Sequence, residues 1–183
     1  MKKFGCGCAV VVVAAIVLFI CIAIFAPDVE ERAGNHQTIA QLSMEDIKTE
    51  IANGDAVLEW LKKDDKLTDL QKDEQLAQYK GKSIIIRGEV EETGKVTFSF
   101  SDEIYVALKV GNVNWLEEIH IQFNVTKSAE NDAKALRKGQ PVIMRGRIES
   151  NKGIETAFVK LVCDKSEIVP EAKYKEALSQ DGK

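Results

Sequence analysis

The sequence predicts a mainly β protein: a small closed barrel, a helical extension on its N-terminal side, and one apolar helix at the N-terminus. Three observations carry this reading. One phrase is written twice, GKSIIIRGEVEE at 81–92 and GQPVIMRGRIES at 139–150, as two strands of one barrel would be. In both copies an Arg-Gly pair interrupts an apolar run, and a glycine inside a strand marks a bulge or bend where a small sheet curls. The segments between and after the copies alternate apolar and polar residues with period two, the pattern of half-covered strands. Two copies of so short a phrase are too few for a solenoid, which stacks three or more units.

The N-terminal element comes from the run Ala9–Ala26, whose 18 residues include no polar side chain other than Cys21. As a helix it reaches roughly 27 Å at ~1.5 Å per residue, enough to span a bilayer. Lys2 and Lys3 precede it, and Asp28, Glu30 and Glu31 follow. The positive-inside bias then leaves residues 1–8 in the cytoplasm and exports the rest, so a single-pass cell-membrane protein is expected. Ala26 could end an export signal, but Pro27 directly after it disfavours cleavage, and an uncleaved anchor is the reading adopted. Ile20 before Cys21 is too bulky for lipoprotein processing. Cys6 and Cys8 supply half a tetrahedral metal site at best and read as membrane-edge residues. Cys163 is the one cysteine beyond the anchor, so the exported part forms no internal disulfide and Cys163 is expected in the core.

At 183 residues, 45% hydrophobic and 30% charged, the chain has room for one ordinary folded domain with appendages. Its 25 basic residues include Lys2 and Lys3, which leaves 23 against 29 acidic ones beyond the anchor. Such a balance repels phosphate backbones on average, and nucleic acid is not an expected partner.

Residues 27–42 are polar and aperiodic and read as a linker. Ser43 is an N-cap followed by Glu45 and Asp46, and Met44, Ile47 and Ile51 share a face, so a short helix is expected to stop near Gly54. Asp55 caps a second segment with Val57, Trp60 and Leu61 on one face; the two could be one helix bent at Gly54. Thr68 and Gln71 form a capping box for a helix through Leu70, Ala77 and Tyr79 that stops at Gly81. Residues 43–80 are thus a helical extension and 81–169 the barrel.

Strand one places Ile84, Ile86, Gly88 and Val90 inward against Ser83, Ile85, Arg87 and Glu89, and ETGK is expected to turn the chain. KVTFSFSD alternates Phe98 and Phe100 with small polar residues. EIYVALKV sends Ile104, Val106 and Leu108 inward and Tyr105, Ala107 and Lys109 outward. IHIQFNV sends Ile119, Ile121 and Phe123 inward and His120, Gln122 and Asn124 outward. Trp115, in the connection 111–118, either covers the barrel edge or meets a ligand, and covering is the reading adopted. SAENDAKALRKG is a helix capped by Ser128 and stopped by Gly139, with Ala129, Ala133 and Leu136 as a stripe that plugs one barrel end. PVIMRGRIES, the turn SNKG and ETAFVKLVCD complete the strands, and 170–183 is a polar tail.

With 97–110 taken as one bent strand or hairpin arm, this order is that of the five-stranded OB-fold Greek-key barrel. GKSIIIRGEV, SAENDAKALRKGQ, PVIMRGRIE and FVKLVCDKSEIV resemble the tRNA_anti-like OB-fold proteins of bacteria, many of them exported or membrane-anchored. The resemblance covers about residues 70–169. It implies the fold; its quoted residues are packing features, and tRNA binding is not carried over.

OB barrels bind ligands on the face of strands two and three and on the loops joining strands one to two and four to five. That face presents Tyr105, His120 and Gln122, the loops offer Lys95 and Lys152, and Arg87, Arg145 and Arg147 lie on the outward side of the repeated strands. Such groups suit an oligosaccharide or an anionic peptide, through stacking and charge-assisted bonds. His36 and His120 are the only histidines, and no catalytic, metal or phosphate-loop pattern accompanies them. The expectation is a membrane-anchored, extracytoplasmic binding or interaction module with no catalysis and no cofactor. The alternatives are a nucleic-acid module on the cytoplasmic side, or an envelope spacer whose helices at 43–80 pack on a partner.

Overall fold

The computed structural model describes residues 37–63, 66–96, 103–113, 117–150 and 159–179. The apolar run 9–26, Phe98 and Phe100, Trp115, Lys152 and the SNKG turn lie outside the described residues. Among those described, no helix is long and apolar enough to cross a membrane. Five strands, β1 (Ser83–Lys95), β2 (Ile104–Asn112), β3 (Glu118–Val125), β4 (Pro141–Ser150) and β5 (Val159–Ile168), form a closed barrel in the order β1-β2-β3-β5-β4. All neighbours are antiparallel except β3 and β5, which run parallel.

The repeated phrases are the strands that close the barrel. Ile86 pairs with Met144, its own counterpart in the second copy, and on either side Ile84 faces Gly146 and Gly88 faces Val142. The flanking backbone bonds repeat the same way. Gly81 N–H donates to the Ile148 carbonyl (2.8 Å) and Gly139 N–H to that of Val90 (2.7 Å); Val90 N–H donates to Gln140 and Ile148 N–H to Lys82, each at 2.9 Å. Counterparts bond counterparts, so a local two-fold axis passes between Ile86 and Met144. The glycines of the Arg-Gly pairs are there for close approach. A Cβ on Gly88 would lie 2.7 Å from the Lys109 carbonyl oxygen, and one on Gly146 2.7 Å from Cys163 Cβ.

Inside the barrel Ile84, Ile86, Leu108, Ile121, Phe123, Met144, Leu161 and Cys163 form one buried cluster. Among the described residues four α-helices lie around it: α1 (Met44–Leu61), α2 (Asp69–Tyr79), α3 (Glu130–Ala135) and α4 (Glu171–Ser179). Val57, Trp60 and Leu61 of α1 belong to the barrel's own core. On the outer side of the β1–β4 seam Ile85 and Ile143 are covered by Ile47 and Ile51 of α1, Ile39, Val169 and Ala177. The seam is therefore apolar on both faces.

Several sequence expectations need correction. Helix α1 does not stop or divide at Gly54 but runs through it. Gly54 is buried against β1, where a Cβ would meet the Ile85 carbonyl oxygen at 2.4 Å, so this glycine serves helix–strand contact. ETGK is strand, because β1 continues past a bulge between Val90 and Glu92 to pair Glu92–Lys95 with Ala107–Ile104. Ser43 caps α1 and the Thr68–Gln71 capping box forms, both as expected, and Asp46 completes a capping box at Ser43 as well. Leu70 and Ala77 of α2 are exposed; Leu76 and Tyr79 are the residues facing the core. Ser128 does not cap α3: it lies in a 3-10 turn, Lys127–Ala129, with its hydroxyl 3.1 Å from that of Thr126. Ala129 and Ala133 nevertheless enter the barrel core, with Leu136 packed against it.

Residues 37–42, expected in the linker, belong to the folded body through a buried ion network. Arg145 points outward from β4 beneath α1. Its Nε and Nη2 donate to both Glu50 carboxylate oxygens (2.6 and 2.8 Å), and Nη1 donates to Glu167 Oε1 (3.0 Å) and the Gln37 carbonyl (2.6 Å). Glu167 Oε1 also accepts the Ile39 N–H at 2.7 Å, and Lys173 donates to the Ile39 carbonyl at 2.8 Å. Burial acts to lower the Arg145 pKa, but bonding and charge from Glu50 and then Glu167 outweigh it and hold it above its ordinary value.

Removing one partner of such a network strands the others' charge. Arg145→Ala is expected to cost about 3–5 kcal/mol of unfolding free energy in urea, and adding Glu50→Gln to recover part of it. An Arg145→Ala loss below about 1 kcal/mol would show that the network is not closed in solution.

Candidate ligand-binding face

The outer surface of β2 and β3 is built by period-two alternation. Tyr105 faces Asn124, Ala107 faces Gln122 and Lys109 faces His120. The far half of β1 continues the surface, with Gly94 beside Tyr105, Glu92 beside Ala107 and Glu89 beside Lys109. Tyr105, His120 and Gln122 are thus brought together as the sequence predicts, joined by Lys109 and Asn124 of the same outward set. Glu92 and Glu118 complete the group. Both were missed because they were assigned to a turn and a connection; a longer β1 and an earlier start to β3 were the signals available.

The surface is closed at its centre and polar at its edge. Tyr105 is 5% exposed, Ala107 7% and Gln122 3%, so these outward positions are not the open platform the alternation suggested. The Tyr105 ring lies against Gly94, where a Cβ would sit 2.7 Å from the ring carbons, and its hydroxyl donates to Glu92 Oε1 at 3.0 Å. Gln122 Nε2 donates to Asn124 Oδ1 at 2.8 Å. At the edge Glu118 takes two partners, Lys109 on Oε1 and His120 Nε2 on Oε2 at 3.2 Å. The Lys109 hydrogen bond, then the His120 contact, hold the Glu118 carboxyl below its usual range, and the same bond raises the Lys109 ammonium, aided by Glu89 and Glu91.

The three arginines do not join this face. Arg145 is buried in the seam network, Arg147 makes a forked pair with Asp164 (3.2 and 3.0 Å), and Arg87 is exposed 3.9 Å from Glu171. All three sit on the seam strands β1 and β4, where an outward side chain meets α1, α4 or β5. Lys95 is exposed at the end of β1. Cys163 is fully buried, and burial pushes its thiol well above the ordinary value, which removes it as a nucleophile. Among the described residues no group of three His, Cys, Asp or Glu side chains is placed to hold a metal ion.

A closed barrel of five strands with a short helix between the third and fourth defines an OB-fold binding module. The tRNA_anti-like family model matches residues 1–161, and the chain belongs to that family. Among solved structures it is similar to a Klebsiella pneumoniae lipoprotein named for nucleic-acid binding, at 15% identity over 55% of this chain and 81% of that one, TM-score 0.41. A small single-stranded DNA-binding protein from Streptomyces coelicolor is similar at 18% identity over 48% and 87%, TM-score 0.32. An OBody bound to hen egg-white lysozyme is similar at 11% over 50% and 85%, TM-score 0.35. No curated protein matches the chain significantly.

Because Lys109 depresses the Glu118 pKa, their pairing is present above the ordinary carboxylate range and is lost as pH falls through the lowered value. Lys109→Met is expected to move the Glu118 carboxyl titration, followed by NMR, upward toward an ordinary glutamate. An unchanged midpoint would place the ion pair elsewhere.

Proposed function

We propose that the chain is a single-pass, membrane-anchored OB-fold module that binds a polar ligand outside the cytoplasm, an oligosaccharide or a peptide segment of an envelope protein, without transforming it. The observation that supports this ligand class is the charge pattern of the barrel surface. Lys109 and His120 both lie on Glu118, Lys138 on Glu91 and Lys160 on Glu117, while Glu89 and Glu92 add further negative charge beside them. Nucleic-acid recognition uses cations available to release counterions from phosphate, and here the lysines Lys109, Lys138 and Lys160 lie on carboxylates. Hydrogen-bonding amides and carboxylates instead suit hydroxyl and peptide groups.

The anchor reading rests on the apolar run Ala9–Ala26 behind Lys2 and Lys3, with the acidic excess of 29 over 23 charges beyond it. An envelope spacer whose helices pack on a partner is less well supported, because α1 spends Val57, Trp60 and Leu61 on the barrel core.

Two measurements on the full-length chain test the proposal. In cells with an intact cytoplasmic membrane, a C-terminal tag is expected to be removed by external protease; protection alongside a cytoplasmic marker would reverse the topology. Purified in detergent, the chain is expected to bind a single-stranded oligonucleotide at physiological salt no more tightly than about 10⁻⁴ M, the weak end of non-specific binding. Micromolar binding that weakens steeply with salt would make it a nucleic-acid module instead.

A further inference from the structure

We propose that helix α2 is a hinged flap over Trp60, opening as a rigid unit while the barrel and α1 stay folded. The inference stands on packing and is independent of the ligand proposed above. Helix α1 buries seven residues, Trp60 and Leu61 at its end among them; α2 buries none. Among the described residues its apolar contacts with the core are Leu76 and Tyr79, with Leu67 just before the helix, all three half-buried. Tyr79 stacks on Trp60 with ring centroids 5.7 Å apart and planes 14° from parallel.

The closed state carries a fault at that contact. Trp60 Nε1 is buried with no hydrogen-bond partner, and a donor kept from both water and protein acceptors disfavours the arrangement that buries it. Opening α2 lifts the Tyr79 ring off the indole and so loosens the packing around this donor.

The local two-fold axis sharpens the contrast. Just as α2 precedes the first repeated phrase, α3 precedes the second, and each is followed by a glycine in the left-handed region, Gly81 at φ 82° and Gly139 at φ 79°. Around α3, Ala133 and the preceding Ala129 are buried in the core, whereas α2 and the residue leading into it contribute only half-buried side chains, Leu67, Leu76 and Tyr79. A side chain on Gly81 would meet nothing within 4 Å, so the pivot is uncrowded, and opening gives up the bond across it from Lys82 N–H to the Tyr79 carbonyl (2.9 Å). The Thr68–Gln71 capping box and the bond from Lys80 N–H to the Leu76 carbonyl are internal to the helix, which lets it swing without unwinding.

The test is native-state hydrogen exchange on the full-length chain in detergent, across urea concentrations below the unfolding transition. The amides of 73–80 are expected to exchange as one group, about 100-fold faster than those of 51–61 in α1 and with little dependence on urea, as a local opening does. Leu76→Ala is expected to speed that group about 10-fold further and leave α1 and the seam amides unchanged; Tyr79→Leu, which keeps bulk but removes the stack, should act in the same direction. Exchange of α2 with the protection and urea dependence of α1 would overturn the proposal. So would a graded loss of protection along α2, which is fraying and not a hinge, or variants that speed α1 as much as α2.

Discussion

The antiparallel pairing of β1 with β4 is the constraint on which the rest of the molecule depends. It joins two segments distant in the chain, so it bears the loop-closure cost of the fold, and by closing the sheet it leaves neither strand with an unpaired edge. Inside the seam Ile86 and Met144 meet across the local axis; outside it Ile85 and Ile143 are covered by α1 and the start of the described domain. Doubling one phrase serves this geometry, because two antiparallel strands related by a two-fold axis present the same residue types to each other. Gly88 and Gly146 are the places where that economy meets a neighbouring strand too closely for a side chain.

Closure also divides the barrel's exterior by role. Helices α1 and α4 lie over the seam, and the outward cation Arg145 there is consumed by Glu50, Glu167 and the backbone of Gln37. The symmetry is broken at this point: Arg87, the counterpart of Arg145, remains exposed beside Glu171. The binding proposed here falls on the surface of β2, β3 and the far half of β1, where Lys109, His120, Glu118, Glu92 and Asn124 supply polar groups around a buried centre.

Much of this was legible in the sequence for identifiable reasons. The strands could be read because period-two alternation records which face is covered, and the two that form the seam because one phrase is written twice. Capping at Ser43 and Thr68 is local chemistry and was read correctly. What escaped depended on distant partners. Arg145 is bonded to Glu50, 95 residues away, so its neighbours in sequence gave no sign of burial. Gly54 resembles a helix stop until Ile85 is brought against it, and ETGK resembles a turn until a bulge carries β1 through it. Tyr105 alternates outward as expected, yet the bare backbone of Gly94 gives its ring a place to lie. The anchor and the side of the membrane remain a reading of the apolar run and its flanking charges.

The most direct measurement of the central claim is a set of cross-strand nuclear Overhauser contacts in the isotopically labelled full-length chain. Closure by two look-alike strands about a local axis requires backbone contacts between Gly88 and Val142 and, on the other side of the axis, between Ile84 and Gly146. Both are predicted, at comparable intensity. Finding either pair absent while the β2–β3 contacts persist would mean that the sheet is open at this seam, and with it the division between a buttressed side and a binding side would be lost.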